Sequence, residues 1–421
     1  MYSNYLLPSK RFLLTVHNLT ETQLKKLDVF TDKYVKKWAG LPPSATIAVI
    51  HLRAGMHFKS ISELYMEAHC VSQARTRLQG DINVNFAIDC AIERESNISR
   101  KKCTTSEAET IIEQALNMNT VQGEIPEFSG YENCDRDKQN FEKEIKEHIK
   151  ISLLIQNQEK WTAHVKQLVQ QGNFLALASA ENEDVVWKSY MFNLKQGTLK
   201  FLLNASIDTL PTAANLHKWK KSTSDQCKLC RARETTCHIL NNCNVSLLNG
   251  KYLWRHNNIV NYVMKSLDTA KYSVFSDLPG YTVGGEGSIP PELCITVQKP
   301  DIVIQDKKNK NLHIFELSVP IEANGNIEKR HREKSDKYAH FVTDITGYNC
   351  QVTCFEIGSR GYISTRNHSS LYTLHKFTKP GIKLSKFKEN ISAPSSYHIF
   401  ITRKEELFVE PPYLLTPFED M

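Results

Sequence analysis

Apolar positions in the first half of the chain recur at helical spacing, and between residues 301 and 356 they give way to strand-like runs. Residues 20–38 predict a helix. Thr20 or Thr22 can cap it, and Leu24, Leu27, Phe30, Tyr34 and Trp38 follow one another at helical intervals. Gly40, Pro42 and Pro43 stop it, because proline lacks the backbone donor and clashes in a helix interior. A second segment, ATIAVIHLRAG, follows Ser44, and a third opens on a capping box, Ser60 with Glu63, before LYMEAHCVSQARTRL. Three short helices with basic faces predict a helical bundle. Residues 96–135 are polar and weakly periodic, a linker with one helix (SEAETIIEQALNM). Residues 137–171 predict a long helix with a stripe of Phe141, Ile145, Ile149 and Ile155, continued by Trp161, Val165 and Leu168. Its charges are mixed, which fits a solvated face better than a binding patch.

Farther on, WKSYMFNLKQGTLKFLLNASIDTL is apolar and helical in character, and WRHNNIVNYVMKSL is a helix with Ile259, Val260, Val263 and Leu267 inward. Residues 277–292 form a loop. DIVIQD and LHIFELSV are two strands around the polar turn KKNKN, residues 326–345 are helical, and QVTCFEI is a third strand. The tail from 366 mixes Ser, Lys and aromatics without a legible pattern. No internal repeat is visible. The fold class is therefore multidomain, α followed by α/β.

A chain of 421 residues accommodates two to four domains, and 41% hydrophobic residues suffice for real cores. The 53 Lys and Arg exceed the 46 Asp and Glu by seven. Part of that excess clusters: Lys218, Lys220, Lys221, Lys228, Arg231 and Arg233 lie between His217 and Arg233 against Asp225 alone. No apolar run approaches the roughly 20 residues that span a bilayer, and MYSNYLLPSKRF lacks a secretory core. Eleven cysteines in such a chain argue for reduced thiols and metal ligation, in the cytosol or the nucleus.

The densest chemistry is Cys227, Cys230, His238 and Cys243, spaced Cys-x2-Cys-x7-His-x4-Cys. A Cys-x2-Cys turn places two thiolates on one side of a hairpin, and a His and a Cys on a following helical turn close a tetrahedron around Zn²⁺. Four protein ligands leave no open position, so the zinc would be structural. Cys237, beside His238, is a competing candidate, and the seven-residue gap is longer than in compact knuckles.

The second constellation is Pro300, Asp301 and Glu316. Metal-dependent nucleases need carboxylates converging on Mg²⁺ or Mn²⁺, with a cation near the scissile phosphate. Fourteen residues separate Asp301 from Glu316, the length of two strands and a turn, so a hairpin brings both to one edge. In many restriction-type cores a lysine follows the Glu by two positions; Ser318 stands there. Lys334 or Lys337 on the next helix can supply the cation. Taken alone, the pattern also describes an Asp at a strand start and a Glu and lysines in solvent.

Together these segments resemble the carboxy-terminal part of the restriction-like-endonuclease class of non-LTR retrotransposon reverse transcriptase proteins. KKWAGLPPSAT, IHLRAG and SISELYMEAH look like the thumb that follows a polymerase palm. LPTAANLHKWKK with CKLC, CHIL and Cys243 looks like the family's linker and CCHC knuckle, and KYLWRHNNIV like its post-knuckle helix. KPD, FELSVP and KSDKY look like its endonuclease, a PD-(D/E)xK core with a relocated lysine. Coverage is about 20–365. The resemblance implies a thumb-like domain over 1–90, a helical linker over 91–209, the knuckle over 210–256, the endonuclease over 257–365 and a tail over 366–421. It implies Asp301 and Glu316 as Mg²⁺ ligands, Lys334 or Lys337 as the catalytic cation, and nicking of target DNA in the nucleus to free a 3′-OH that primes copying of the element's RNA. Lys218, Lys220, Lys221, Arg231 and Arg233 would meet nucleic acid, and no membrane is involved. No Asp-Asp pair occurs in the chain, so the polymerase signature is missing and primer extension is not expected. The rival readings are a catalytically dead nucleic-acid-binding protein that keeps the knuckle, and a metal-stapled scaffold.

Overall fold

The computed structural model describes residues 7–17, 19–96, 105–117, 135–180, 191, 194–278, 288–293, 299–323, 325–339 and 347–392. They form two compact units, one of residues 1–38 and 47–167, the other of residues 39–46 and 168–421.

The first unit is helical: α1 (Leu7–Val16), α2 (Glu21–Ala39), α3 (Ala48–His51), α4 (Ile61–Leu78), α5 (Ile82–Ser96), α6 (Thr105–Asn117) and α7 (Asp135–Lys166). The capping box forms as its sequence dictates: Ser60 accepts from the Glu63 N–H and the Glu63 side chain accepts from the Ser60 N–H. Cys70, Val71 and Ala74 of α4 pack against Ala108, Ile111, Ile112 and Ala115 of α6 and Ile145, Ile149 and Leu153 of α7. One core thus spans the position 90 boundary expected between thumb and linker. The segment after Ser44 shrinks to the single turn of α3. On α2 the buried positions are Leu24, Asp32, Val35 and Ala39, whereas Leu27, Phe30, Tyr34 and Trp38 are exposed. Asp32 is drawn inward because His51 lies 2.9 Å away. Ile155, expected on the apolar stripe of α7, is also exposed; the side chain of Phe141 falls outside the described residues.

The second unit begins with α8 (Asn173–Ala180), α9 (Gln196–Ser206) and α10 (Ala213–Lys218), followed by a π-type turn at His238–Asn242, α11 (Asn244–Leu248) and α12 (Lys251–Ser266). The sheet comes next: β1 (Ser273–Ser276), β2 (Ile302–Asp306), β3 (Asn311–Ser318), a crossover helix α13 (Asn326–Ala339) and β4 (Asn349–Glu356). Strand order is β1-β2-β3-β4, the first two pairings antiparallel and the last parallel. With α12 in front, this is an α-β-β-β-α-β succession. Helices α14 (Thr365–His375) and α15 (Leu384–Ser392) complete it.

Both faces of the sheet are covered, which is why β2 and β3 read as near-continuous apolar runs. Ile302, Ile304, Phe315, Leu317 and Phe355 pack with Ile259, Val260 and Val263 of α12, Leu371 and Leu374 of α14, and Phe387 and Ile391 of α15. The tail from 366 is therefore part of the core as far as Ser392. The opposite face carries Val303, Leu312 and Ile314 with Tyr338 of α13. The expected loop at 277–292 and the end of the 326–345 helix lie partly, and the tail beyond 392 wholly, outside the described residues. No helix among the described residues is long and apolar enough to cross a membrane.

Candidate functional site

The hairpin around the first two cysteines is closed by a bridge between Gln226 and Arg233. Within it the Cys227 N–H donates to the Ala232 carbonyl at 2.6 Å and the Arg231 N–H to the Cys227 carbonyl at 2.9 Å. Arg231 takes a left-handed φ of 63° to make the turn. The Leu229 N–H points at Cys227 Sγ, 3.3 Å away, the kind of donor that stabilises a thiolate. The Thr235 hydroxyl accepts from the His238 N–H at 3.1 Å and starts the π-type turn that presents His238 and Cys243 to the same point.

The four donor atoms lie within 4.8 Å of one another. Cys230 Sγ is 3.3 Å from His238 Nε2 and 3.9 Å from Cys243 Sγ. Zn–S bonds of about 2.3 Å at tetrahedral angles put sulfurs roughly 3.8 Å apart, so the donor set fits zinc in both chemistry and spacing. Cys227 and Cys243 are fully buried and His238 nearly so. Cys237 is not in this group; its sulfur accepts from Asn242 Nδ2 at 3.3 Å. The Tyr252 hydroxyl, accepting from the Cys243 N–H at 3.0 Å, lies against the His238 and Ile239 carbonyls and ties the turn to α12.

The zinc turn is also bound to the helices before it. Glu234 accepts from the Ala213 N–H at 3.0 Å, and Gln170 donates to Asp208 and Asn215. Lys218, Lys220, Lys221, Arg231 and Arg233 are exposed. Lys218 donates to Gln170 Oε1 at 2.8 Å, and Arg233 faces Asp225 at 3.3 Å.

The second group sits where β2 and β3 begin and end. Ile302 pairs with Phe315, so Asp301 stands opposite Glu316. Side-chain alternation puts Asp301 on the face of Val303 and Glu316 on that of Ile314 and Leu312, toward α13. The Asp301 N–H donates to Glu316 Oε2 at 3.1 Å, and the Leu317 N–H donates to Asp301 Oδ2 at 2.8 Å. Lys334 Nζ is hydrogen-bonded to Glu316 Oε1. Lys337 instead reaches the Tyr338 hydroxyl at 3.0 Å. Ser318 shares the Glu316 face, two positions on, with its Oγ buried and unpaired among the described residues. The structure thus assembles Asp301, Glu316 and Lys334 and leaves Lys337 at the margin.

Burial pushes both carboxyls up, with different outcomes. At Asp301 the hydrogen bond and charge of His256 outweigh burial and hold the group below the ordinary carboxylate range. At Glu316 burial is reinforced by the Asp301 charge, and the group stays raised in spite of Lys334. His256, on α12, is the one member that sequence patterning did not single out. Its Nε2 lies 3.2 Å from Asp301 Oδ2, and this carboxylate, prevailing over desolvation, raises the imidazole above its ordinary value.

Residues 167–249 match the family described as zinc-binding in reverse transcriptase. The match takes in α8, α9, α10 and the whole Cys-Cys-His-Cys cluster, and so begins well before the expected knuckle boundary at 210. It supports a protein related to retrotransposon reverse transcriptases, with a structural zinc. No curated protein matches the chain.

Proposed function

We propose that the chain is a metal-dependent DNA endonuclease of the PD-(D/E)xK type, carried by a retrotransposon-derived protein that grips nucleic acid through its zinc module. The observation that carries this reading is the meeting of Asp301, Glu316 and Lys334 at one edge of a mixed sheet, inside an α-β-β-β-α-β succession. Burial and the charge of the half-buried Asp301 raise the buried Glu316 carboxyl, and an oxygen donor set of this kind suits a hard divalent cation. Held there, Mg²⁺ or Mn²⁺ would lower the pKa of a bound water and neutralise the scissile phosphate.

The chain's own residues divide the remaining work. Asp301 and Glu316 offer the oxygens. Lys334, already on Glu316, orients the attacking water and stabilises charge gathering on the phosphate. Lys218, Lys220, Lys221, Arg231 and Arg233 hold the phosphate backbone of target DNA or of the element's RNA without reading sequence.

The test is nicking of supercoiled plasmid by the zinc-loaded chain with Mg²⁺ or Mn²⁺. Cleavage should stop with EDTA and leave a 3′-OH, and Asp301→Ala or Glu316→Ala should abolish it while DNA binding survives. A zinc-replete chain that binds DNA and cuts nothing under either metal would leave a binding module only.

A further inference from the structure

Asp301 is held from a direction that the strand pair does not provide. Its Oδ2 receives the Leu317 N–H at 2.8 Å and faces His256 Nε2 at 3.2 Å. Oδ2 is thus tethered from two sides, by the backbone of β3 and by α12. The imidazole is itself fixed: His256 Nδ1 lies 3.2 Å from Asn257 Oδ1. Its neighbour Arg255 is buried and donates to the Leu240 and Val319 carbonyls, which sets the height of α12 over the end of β3. Glu316, by contrast, is held by the Asp301 N–H of the sheet and by Lys334 of α13.

We propose that His256 is a positioning residue for the divalent-cation site: its Nε2–H, with the Leu317 N–H, pins Asp301 Oδ2 and turns Oδ1 toward the cation. This rests on the endonuclease reading above. A carboxylate free to rotate must be ordered when the cation arrives, whereas a tethered one is ordered beforehand. Groups that hold a ligating side chain in this way are commonly worth about 10–100-fold in metal affinity.

The experiment is a Mn²⁺ titration of the full, zinc-loaded chain, read from the electron paramagnetic resonance signal of the free ion. Four variants are compared with wild type: Asp301→Ala, His256→Ala, His256→Leu and His256→Gln. His256→Ala and His256→Leu should each weaken Mn²⁺ binding about 10–100-fold. His256→Gln, whose amide N–H can reach the same oxygen, should recover most of the loss. Leu fills the volume without donating, so a packing role predicts the reverse order, with Leu close to wild type. Zinc content and the melting transition of each variant establish that it folds; the Leu and Gln pair carries the comparison if the Ala variant does not. If Asp301→Ala abolishes binding while His256→Ala and His256→Leu match wild type, or Gln is no better than Leu, the positioning role falls and the cation site stands. If wild type binds no Mn²⁺, or Asp301→Ala binds it as well as wild type, the cation site falls and the role of His256 falls with it.

Discussion

Arg255 donates to the Leu240 carbonyl at 2.9 Å, inside the turn between two zinc ligands, and through its other amino group to the Val319 carbonyl at 3.2 Å, just past β3. Asn241 reaches the same Val319 carbonyl at 2.9 Å. Burial lowers the Arg255 pKa to about 10, so the guanidinium stays charged at neutral pH while deeply enclosed. A buried charge held mainly by carbonyls is costly to leave unpaired. The zinc turn and the carboxylate-bearing sheet therefore share one anchor.

Chelating the zinc should accordingly be felt beyond the cysteines. Structural zinc supplies folding free energy outright, and without it the Leu240 turn no longer holds Arg255. Hydrogen exchange should accelerate across 226–249 and also along α12. Unchanged protection of 251–266 after zinc removal would show that the anchor is not shared.

The ligand set itself makes a sharper prediction. Cys230→Ser should abolish stoichiometric zinc in native mass spectrometry, and Cys237→Ser should leave one zinc per chain. On spacing alone Cys237 competes with these ligands, but its sulfur lies outside the cluster and accepts from Asn242. Zinc loss in the Cys237 variant with full retention in the Cys230 variant would reverse the assignment.

What could be read ahead of the structure was local. The capping box of Ser60 and Glu63, the Cys-x2-Cys turn and the Asp301 to Glu316 spacing each depend on a few neighbouring residues or one hairpin. What could not be read was decided by packing at a distance. Strand β1 is four residues long, too short for a periodic signal. The burial of Phe387 and Ile391 exists because one face of the sheet needs covering. His256 lies 45 positions before Asp301 and looks in sequence like any polar residue of an amphipathic helix. Lys334 and Lys337 are one turn apart, and only the seating of α13 on β3 separates them.

In the first unit, His51 predicts a pH-dependent stability. Its ring is buried, with Nδ1 2.7 Å from the Phe58 carbonyl and Nε2 2.9 Å from Asp32. Burial disfavours the charged imidazole, but the hydrogen bond and charge of Asp32, helped by Phe58 and Glu63, prevail and raise it above the ordinary 6.5. A raised histidine gives its full stabilisation below its unfolded value and loses it as pH climbs through the folded one. The stability gap between wild type and His51→Phe should therefore be largest below 6.5 and narrow above it. His51→Ala removes the partner of buried Asp32, whose charge Lys36 offsets in part, and should cost up to about 3–5 kcal/mol at low pH. Urea unfolding followed by hydrogen exchange in α4 reads both. A gap that widens with pH would show that the pair is held as neutral imidazole.

The basic surface of the zinc module predicts salt dependence. Each phosphate contact on duplex DNA contributes about −0.9 to the slope of log affinity against log salt. Replacing Lys218, Lys220 and Lys221 together by Ala should make that slope shallower by up to about three, whatever the DNA sequence. Arg233→Ala should change it less, because Asp225 already faces that guanidinium. A slope unaltered in the triple variant would remove these lysines from the interface.

The two lysines of α13 give the most discriminating measurement at the carboxylate site. Lys334 meets Glu316 directly, and its side chain is less than one-third exposed. Lys337 lies over the Tyr338 ring at 4.6 Å and touches its hydroxyl. Loss of one electrostatic group at a reacting phosphate typically costs about 10²–10³ in rate. Lys334→Ala should therefore lower plasmid nicking by about that factor at saturating DNA, and Lys337→Ala should raise the DNA concentration needed for half-maximal nicking with little effect on the saturated rate. Lys334→Arg keeps the charge but cannot repeat the single-point contact with Glu316, so it should recover binding more fully than turnover. If Lys337→Ala proves the more damaging to the saturated rate, α13 must turn when DNA and metal are present, and the assignment passes from Lys334 to Lys337.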